Sequence, residues 1–77
     1  MLIAEQCRAA RALLKWKQED LAEKAGLAIS TIKDFEAERR TPHASNLRQI
    51  ERAFVEAGIE FTNGEAPGLR RHKRGMK

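Results

Sequence analysis

The sequence predicts a small all-α fold of four helices, extended at its C-terminal end by a short β-strand or hairpin. Apolar residues recur at helical spacing in four segments, with Gly or Pro between most of them. After Gly58 the pattern becomes strand-like. A chain of 77 residues makes one domain with a small core and leaves no room for a deep catalytic cleft.

The first two helices are predicted over about residues 3–14 and over Gln18–Ala25. The first is rich in Ala and Leu and contains neither Gly nor Pro. Gly26 ends the second helix, because glycine adopts the left-handed conformation found after a helix without steric cost.

The third helix is predicted over Ala28–Glu38, and the fourth over about Ala44–Ala57. Pro42 separates them, since proline disfavours helical conformation in the residue before it. Gly58 ends the fourth helix, which sets a boundary between residues 1–58 and a C-terminal segment, 59–77.

Two predictions compete for the C-terminal segment. The alternation in "IEF" and the dipeptide Asn63-Gly64 favour a short strand pair with "LRR". A disordered tail after Phe61 is the alternative. The net charge of +4 is concentrated here, because residues 58–77 carry five Lys and Arg against two Asp and Glu. A basic tail suits a polyanion such as nucleic acid, although it also serves solubility.

A helical wheel divides the third helix into two unlike sides. The inner side is apolar apart from one carboxylate: Ala28, Ile32, Phe35 and Glu36. The outer side mixes hydroxyl, amine, carboxylate and methyl groups: Ser30, Lys33, Asp34 and Ala37, with Ile29 at the margin. Such groups match base edges in the major groove. Two short helices joined by a tight turn at Gly26 therefore predict a helix-turn-helix, although this geometry also occurs as plain packing.

The stretch "RAARALLKWKQEDLAEKAGLAISTIKDFEAERRTPHASNLRQIERAF" resembles the helix-turn-helix family of phage repressors and Cro, the XRE family. The resemblance covers roughly residues 3–57. Its matching features are Gln18, Leu21-Ala22, Gly26, Ile32, Glu36, Pro42 and Leu47–Ile50. Two features depart from the family pattern. Ala28 and Ile29 stand where the family often has Ser, Thr or Gln, and Lys15 stands where Gly is frequent. The resemblance implies a lambda-repressor-like bundle that binds double-stranded DNA.

We expect four base contacts from the third helix: Ile29, Ser30, Lys33 and Asp34. Lys33 is suited to guanine, and Asp34 to the amino group of cytosine. Because phosphates repel a carboxylate that finds no donor, the alternatives for Asp34 are exclusion of wrong sequences or charge balance for Lys33. Eight further residues are expected to contact phosphate: Lys15, Lys17, Gln18, Arg39, Arg40, Thr41, His43 and Asn46. The alternative for these is a helix cap or a solvated basic surface.

Arg11 and Glu36 are expected to have a structural role. Glu36 faces inward on the wheel, and an isolated buried charge is strongly unfavourable. The family resemblance implies that the two form an ion pair between the first and third helices. Trp16 and Phe35 lie at apolar-stripe positions and are expected to pack in the core.

Several function classes have no support in the sequence. We find no nucleophile beside a base, no phosphate-binding loop and no set of metal ligands at suitable spacing, so no enzymatic activity, cofactor or metal is expected. The single cysteine cannot form an internal disulfide, which favours a cytoplasmic setting. No apolar run approaches the length of a membrane span.

The expected function is therefore sequence-specific DNA binding by a transcriptional regulator, with repressor action favoured. A homodimer is expected, with Ile59, Phe61 and Leu69 as candidate contacts. The alternative is an antitoxin that binds its own promoter and a small protein partner. An adaptor that binds protein or RNA is a third interpretation.

Overall fold

The computed structural model describes residues 2–62 and 68–71. These residues form four helices and one antiparallel strand pair: α1 (Ala4–Leu14), α2 (Gln18–Ala25), α3 (Ile29–Glu36), α4 (Ala44–Glu56), β1 (Ile59–Thr62) and β2 (Gly68–Arg71). The helical bundle and the short C-terminal hairpin are as predicted. The alternative of a disordered tail after Phe61 is wrong, because β2 pairs with β1. Asn63 and Gly64, the predicted turn, lie outside the described residues.

The first three helices end in the same way. Lys15, Gly26 and Glu38 all have left-handed backbones, with φ of 59°, 71° and 60°. Each donates its N–H to the carbonyl three residues earlier, and the next residue donates to the carbonyl five residues before it. This is the Schellman motif. Only the ending at Gly26 was predicted, since the other two positions are not glycine. Lys15 thus occupies a left-handed position, which explains why the family often has glycine there.

The core lies where the four helices and β1 meet. Its largest fully buried side chains are Cys7, Leu21, Ile32, Ile50, Phe54 and Ile59. Trp16 is half-buried and stacks on Phe54, with ring centroids 5.7 Å apart, and Phe35 is buried, so both pack as expected. Ala28 differs from its prediction. It is exposed and extended, because it is the residue before α3 rather than part of its inner side.

A buried amide attaches the hairpin to α1. Gln6 is buried, with only 3% of the residue's surface exposed. Its Oε1 accepts a hydrogen bond from the Ile3 backbone N–H (3.1 Å), which helps to start α1. Its Nε2 donates to the carbonyls of Gly68 (3.0 Å) and Thr62 (3.4 Å). One side chain therefore satisfies polar groups of the helix and of both strands. Ile59, just beyond the sequence-based boundary at residue 58, belongs to the same core as the helices.

Candidate nucleic-acid interface

The outer face of α3 presents side chains that make few contacts within the protein. Ser30 and Lys33 are exposed, and Asp34 is half-exposed one turn from Ser30. Among residues 2–62 and 68–71, no hydrogen-bond or ion-pair partner is found for the Ser30 hydroxyl or the Lys33 ammonium. Ile29 differs from these, because it is half-buried and packs against the core. Of the four predicted base contacts, three thus lie on one face, and Ile29 lies at its inner edge.

Asp34 has a cationic neighbour. Its Oδ1 lies 3.7 Å from a guanidinium nitrogen of Arg39. The pair is solvent-exposed, so its contribution to stability is at most about 1 kcal/mol. Its consequence is local: Arg39 partly offsets the negative charge of Asp34 beside the outer face of α3. Arg39 is predicted to contact phosphate or to belong to a solvated basic surface, and its contact with Asp34 was not predicted.

A groove of about 280 Å³ runs between α3 and the segment that leads into α4. It brings predicted base-contact residues together with predicted phosphate-contact residues. Its lining is polar apart from one proline: Ser30, Thr31, Asp34, Arg40, Thr41, Pro42, His43 and Asn46. Thr31 was not predicted to belong to this site, because the wheel analysis did not include it on either side.

The start of α4 lies at the other wall of this groove. His43 occupies the N-cap position, but its side chain makes no capping hydrogen bond. First-turn N–H groups of a helix have no partner within that helix, and they favour anions. Arg40, Thr41 and His43 are exposed beside them. This end of α4 therefore has free N–H groups and exposed cationic and hydroxyl side chains on the same side, and the phosphate contact of this segment stays a prediction.

The start of α2 makes one contact that was not predicted. Lys15 and Lys17 are exposed, as a phosphate-contacting role requires. Gln18, however, is half-buried, and its Nε2 donates to Oε1 of Glu36 at 3.0 Å. Asp20 folds back to accept from the Lys17 N–H at 2.8 Å. Gln18 thus joins α2 to α3, and its second amide hydrogen stays available to a ligand.

Glu36 is the centre of a buried polar network. Arg11 donates two hydrogen bonds of 2.8 Å to its carboxylate, one from Nε to Oε2 and one from Nη2 to Oε1. Gln18 donates a third bond, and the Cys7 thiol a fourth at 3.1 Å. The Glu36 side chain is 3% exposed. The ion pair that the family resemblance implied is therefore present, and it is bidentate, which fixes the geometry as well as the charge.

The network sets the protonation of its members. Burial alone raises the pKa of the Glu36 carboxyl, but the hydrogen bonds from Arg11, Cys7 and Gln18 outweigh it and hold that pKa below its usual value. The hydrogen bond to Glu36 raises the pKa of Arg11. Burial, and then the bond to Glu36, raise the pKa of Cys7 far above its ordinary range. The thiol therefore stays protonated and unreactive, as expected for a small core residue.

α1 also fixes the backbone at both ends of the helix-turn-helix. Arg11 Nη1 donates to the Trp16 carbonyl at 3.0 Å, in the turn before α2. Arg8 donates to the Glu36 carbonyl at the end of α3, and it lies 4.0 Å from the Glu38 carboxylate. Arg8 was not predicted to have this role. Its position three residues before Arg11, on the same helix face, was the available signal.

The predicted dimer contacts occupy unlike environments. Ile59 is 1% exposed, so its side chain belongs to the protein's own core and is unavailable to a partner. That assignment is wrong, because alternation along a strand shows which residues share a face but not what covers that face. Phe61 and Leu69 are cross-strand partners and are half-buried. Phe61 also packs edge-on against Phe54, with centroids 6.0 Å apart.

A helix-turn-helix family profile matches residues 8–54. The matched span runs from α1 into α4 and contains every predicted base and phosphate contact. The chain belongs to this helix-turn-helix family, of the XRE and Cro type, whose members bind DNA and regulate transcription and are generally not enzymes. No curated protein gives a significant match.

Two further observations concern the described residues. None of the helices there is long and apolar enough to cross a membrane. In the same residues, no group of three or more His, Cys, Asp or Glu side chains is placed to hold a metal ion.

Proposed function

We propose that this protein is a sequence-specific repressor that reads the major groove of double-stranded DNA with α3. The contrast between the two sides of α3 carries this proposal. On the inner side, the carboxylate of Glu36 has four hydrogen-bond donors. On the outer side, Ser30 and Lys33 are exposed, and their polar groups have no partner among the described residues. Polar groups placed without partners on a rigid helix are available to base edges.

The residues divide into those that specify sequence and those that position the protein. Lys33 would donate to guanine, and Ser30 would pair with more than one base. Asp34 would accept from cytosine, with Arg39 at 3.7 Å to offset its charge. The remaining contacts would go to phosphates: Lys15, Lys17, Gln18, Arg40, Thr41, His43 and Asn46, together with the first N–H groups of α4.

Binding as a homodimer follows from the limited reach of one α3. A single helix of eight residues contacts few base pairs, and related folds place two copies on half-sites about one helical turn apart. The hairpin offers a route to such a dimer, because among the described residues each of its strands pairs with one other strand and has a second edge without a strand neighbour. Half-buried Leu69 and Phe61 lie on this hairpin.

Selection from random DNA duplexes tests the proposal. We expect enrichment of one sequence made of two related halves, about one helical turn apart. The stoichiometry is then measured by sedimentation on duplexes with one half or both halves. Two copies on the complete site support the dimer. Absence of any enriched sequence would reject sequence-specific binding, and a small protein that co-purifies and releases the DNA would favour the antitoxin interpretation.

A further inference from the structure

Strand β2 runs alongside α1 and in the same direction. Near its start, the Gly68 carbonyl accepts from Gln6 in the first turn of α1 (3.0 Å). At its end, Arg71 Nη1 donates to the Leu13 carbonyl in the last turn of α1 (3.0 Å). Three strand steps and seven helix steps both span about 10 Å, so the two contacts are consistent with a strand parallel to the helix. The chain therefore reaches Arg71 at the end of α1 that precedes α2.

Arg71 adds a cation to the turn between α1 and α2. Leu13 lies in the last turn of α1, whose carbonyls lack helical partners and favour a cation. Lys15 and Lys17 follow two and four residues later, and both are exposed, as is Arg71. Within the described part of the chain, none of these three cations has an acidic partner in an ion pair. Among the described residues, three cations without an ion-pair partner thus lie at or near the end of α1 that precedes α2, whose first turn carries Glu19 and Asp20.

The neighbouring Arg70 is placed differently. Successive side chains of a strand point to opposite faces, so Arg70 faces away from the side on which Arg71 contacts α1. Its guanidinium lies 3.1 Å from the carboxylate of Glu60 on the paired strand. Arg70 and Arg71 therefore carry the same charge one residue apart, but only Arg71 contacts the end of α1 that precedes α2.

We propose that Arg71, with Lys15 and Lys17, contacts DNA phosphates that flank the base pairs read by α3. This inference rests on the proposed function, in which the start of α2 meets the DNA backbone. The hairpin then extends the phosphate-contacting surface beyond the helix-turn-helix. Because the contact is with phosphate, it adds affinity for every duplex alike and does not change the preferred sequence.

The test compares Arg71→Gln with Arg70→Gln in the full chain. Glutamine removes the charge and keeps a polar N–H group, but its side chain ends two bonds short of the Nη1 atom that donates to the Leu13 carbonyl, so hairpin stability is measured alongside binding. The dissociation constant is measured against salt concentration, on the selected site and on a shuffled duplex. Arg71→Gln is expected to weaken both complexes by the same factor and to reduce the salt slope by about 0.9 on each. Arg70→Gln is expected to leave the slope unchanged.

A shortened duplex that lacks the flanking phosphates supplies an independent readout. On it, wild type and Arg71→Gln should have equal affinity; a persisting difference would overturn the inference. If urea unfolding shows that Arg71→Gln loosens the hairpin, Arg71→Lys decides, since it keeps the charge and should keep the wild-type slope. A lowered slope in Arg71→Lys overturns the inference.

The outcomes separate the two proposals. Equal slopes for Arg70→Gln and Arg71→Gln, or a loss confined to the selected site, overturn the flanking contact and leave the proposed function intact. If wild type binds duplexes without sequence preference, the proposed function fails, while the Arg71 comparison on the shuffled duplex still decides the phosphate contact. If wild type binds no duplex, both are rejected.

Discussion

The two sides of α3 use polar side chains in opposite ways. On the inner side, Glu36 is 5% exposed and accepts hydrogen bonds from three residues of α1 and α2. On the outer side, Ser30 and Lys33 face solvent, and neither has a hydrogen-bond or ion-pair partner among the described residues. The inner side fixes where the helix lies, and the outer side stays free for a ligand. Substitutions on the inner side should therefore change the free energy of unfolding, and substitutions on the outer side should change DNA binding.

The largest effect is expected from the inner side. Arg11→Ala leaves the Glu36 charge buried without its cation and should lower the free energy of unfolding by about 3–5 kcal/mol. Urea unfolding measures this. Arg39→Ala is the matched control, because its pair with Asp34 is exposed and contributes at most about 1 kcal/mol. An unchanged urea midpoint in Arg11→Ala would show that the network does not anchor α3.

Low pH should reduce the stability that Glu36 contributes on the inner side of α3. Since the folded-state pKa of Glu36 is lowered, its contribution to stability is complete above the unfolded value of about 4.3 and is lost as the pH falls through the folded pKa. NMR titration of the Glu36 carboxyl measures the pKa directly. A midpoint at or above about 4.3 would contradict the hydrogen-bonded network as the dominant influence.

An intermediate effect is expected from the outer side. Lys33→Ala should weaken binding to the selected site by about 1–3 kcal/mol and relax the preference at one base pair. The free energy of unfolding, measured with urea, should stay within about 0.5 kcal/mol of wild type, because the side chain is exposed. A large loss of stability would show that Lys33 stabilises the fold, as the inner-side residues do, and would contradict the division between the two sides of α3.

The smallest effect is expected at Lys15, which has both a left-handed backbone and a positive charge. Lys15→Gly relieves the left-handed conformation at φ 59° and should change stability by no more than about 1 kcal/mol, in the stabilising direction. The same change removes one cation and should lower the salt slope of DNA binding by about 0.9. Lys15→Ala is the control, since it removes the charge and keeps the backbone strain. Equal stability of the two variants would show that the strain is negligible.

Local patterns predicted much of the fold and one side of the site. The bounds of α2 agreed with the prediction residue for residue, and helical periodicity correctly predicted that Glu36 faces the interior. The left-handed endings at Lys15 and Glu38 escaped prediction because they carry no glycine signal.

Long-range contacts were beyond the sequence pattern. The amide of Gln6 bonds to carbonyls 56 and 62 residues away, and no periodicity indicates such a pair. Gln18 was predicted as a phosphate ligand, yet one of its amide hydrogens is directed at Glu36. Ile59 was assigned to an interface because alternation identifies the apolar face of a strand without showing that the helices cover it.

The most direct test of the division between the two sides of α3 is the specificity ratio, which compares affinity for the selected site with affinity for a shuffled duplex at one salt concentration. It should be measured for wild type, Lys33→Ala and Arg40→Ala. We predict that Lys33→Ala lowers the ratio roughly tenfold or more, whereas Arg40→Ala weakens both complexes and leaves the ratio unchanged. Equal ratios in all three proteins would contradict base reading by the outer face of α3.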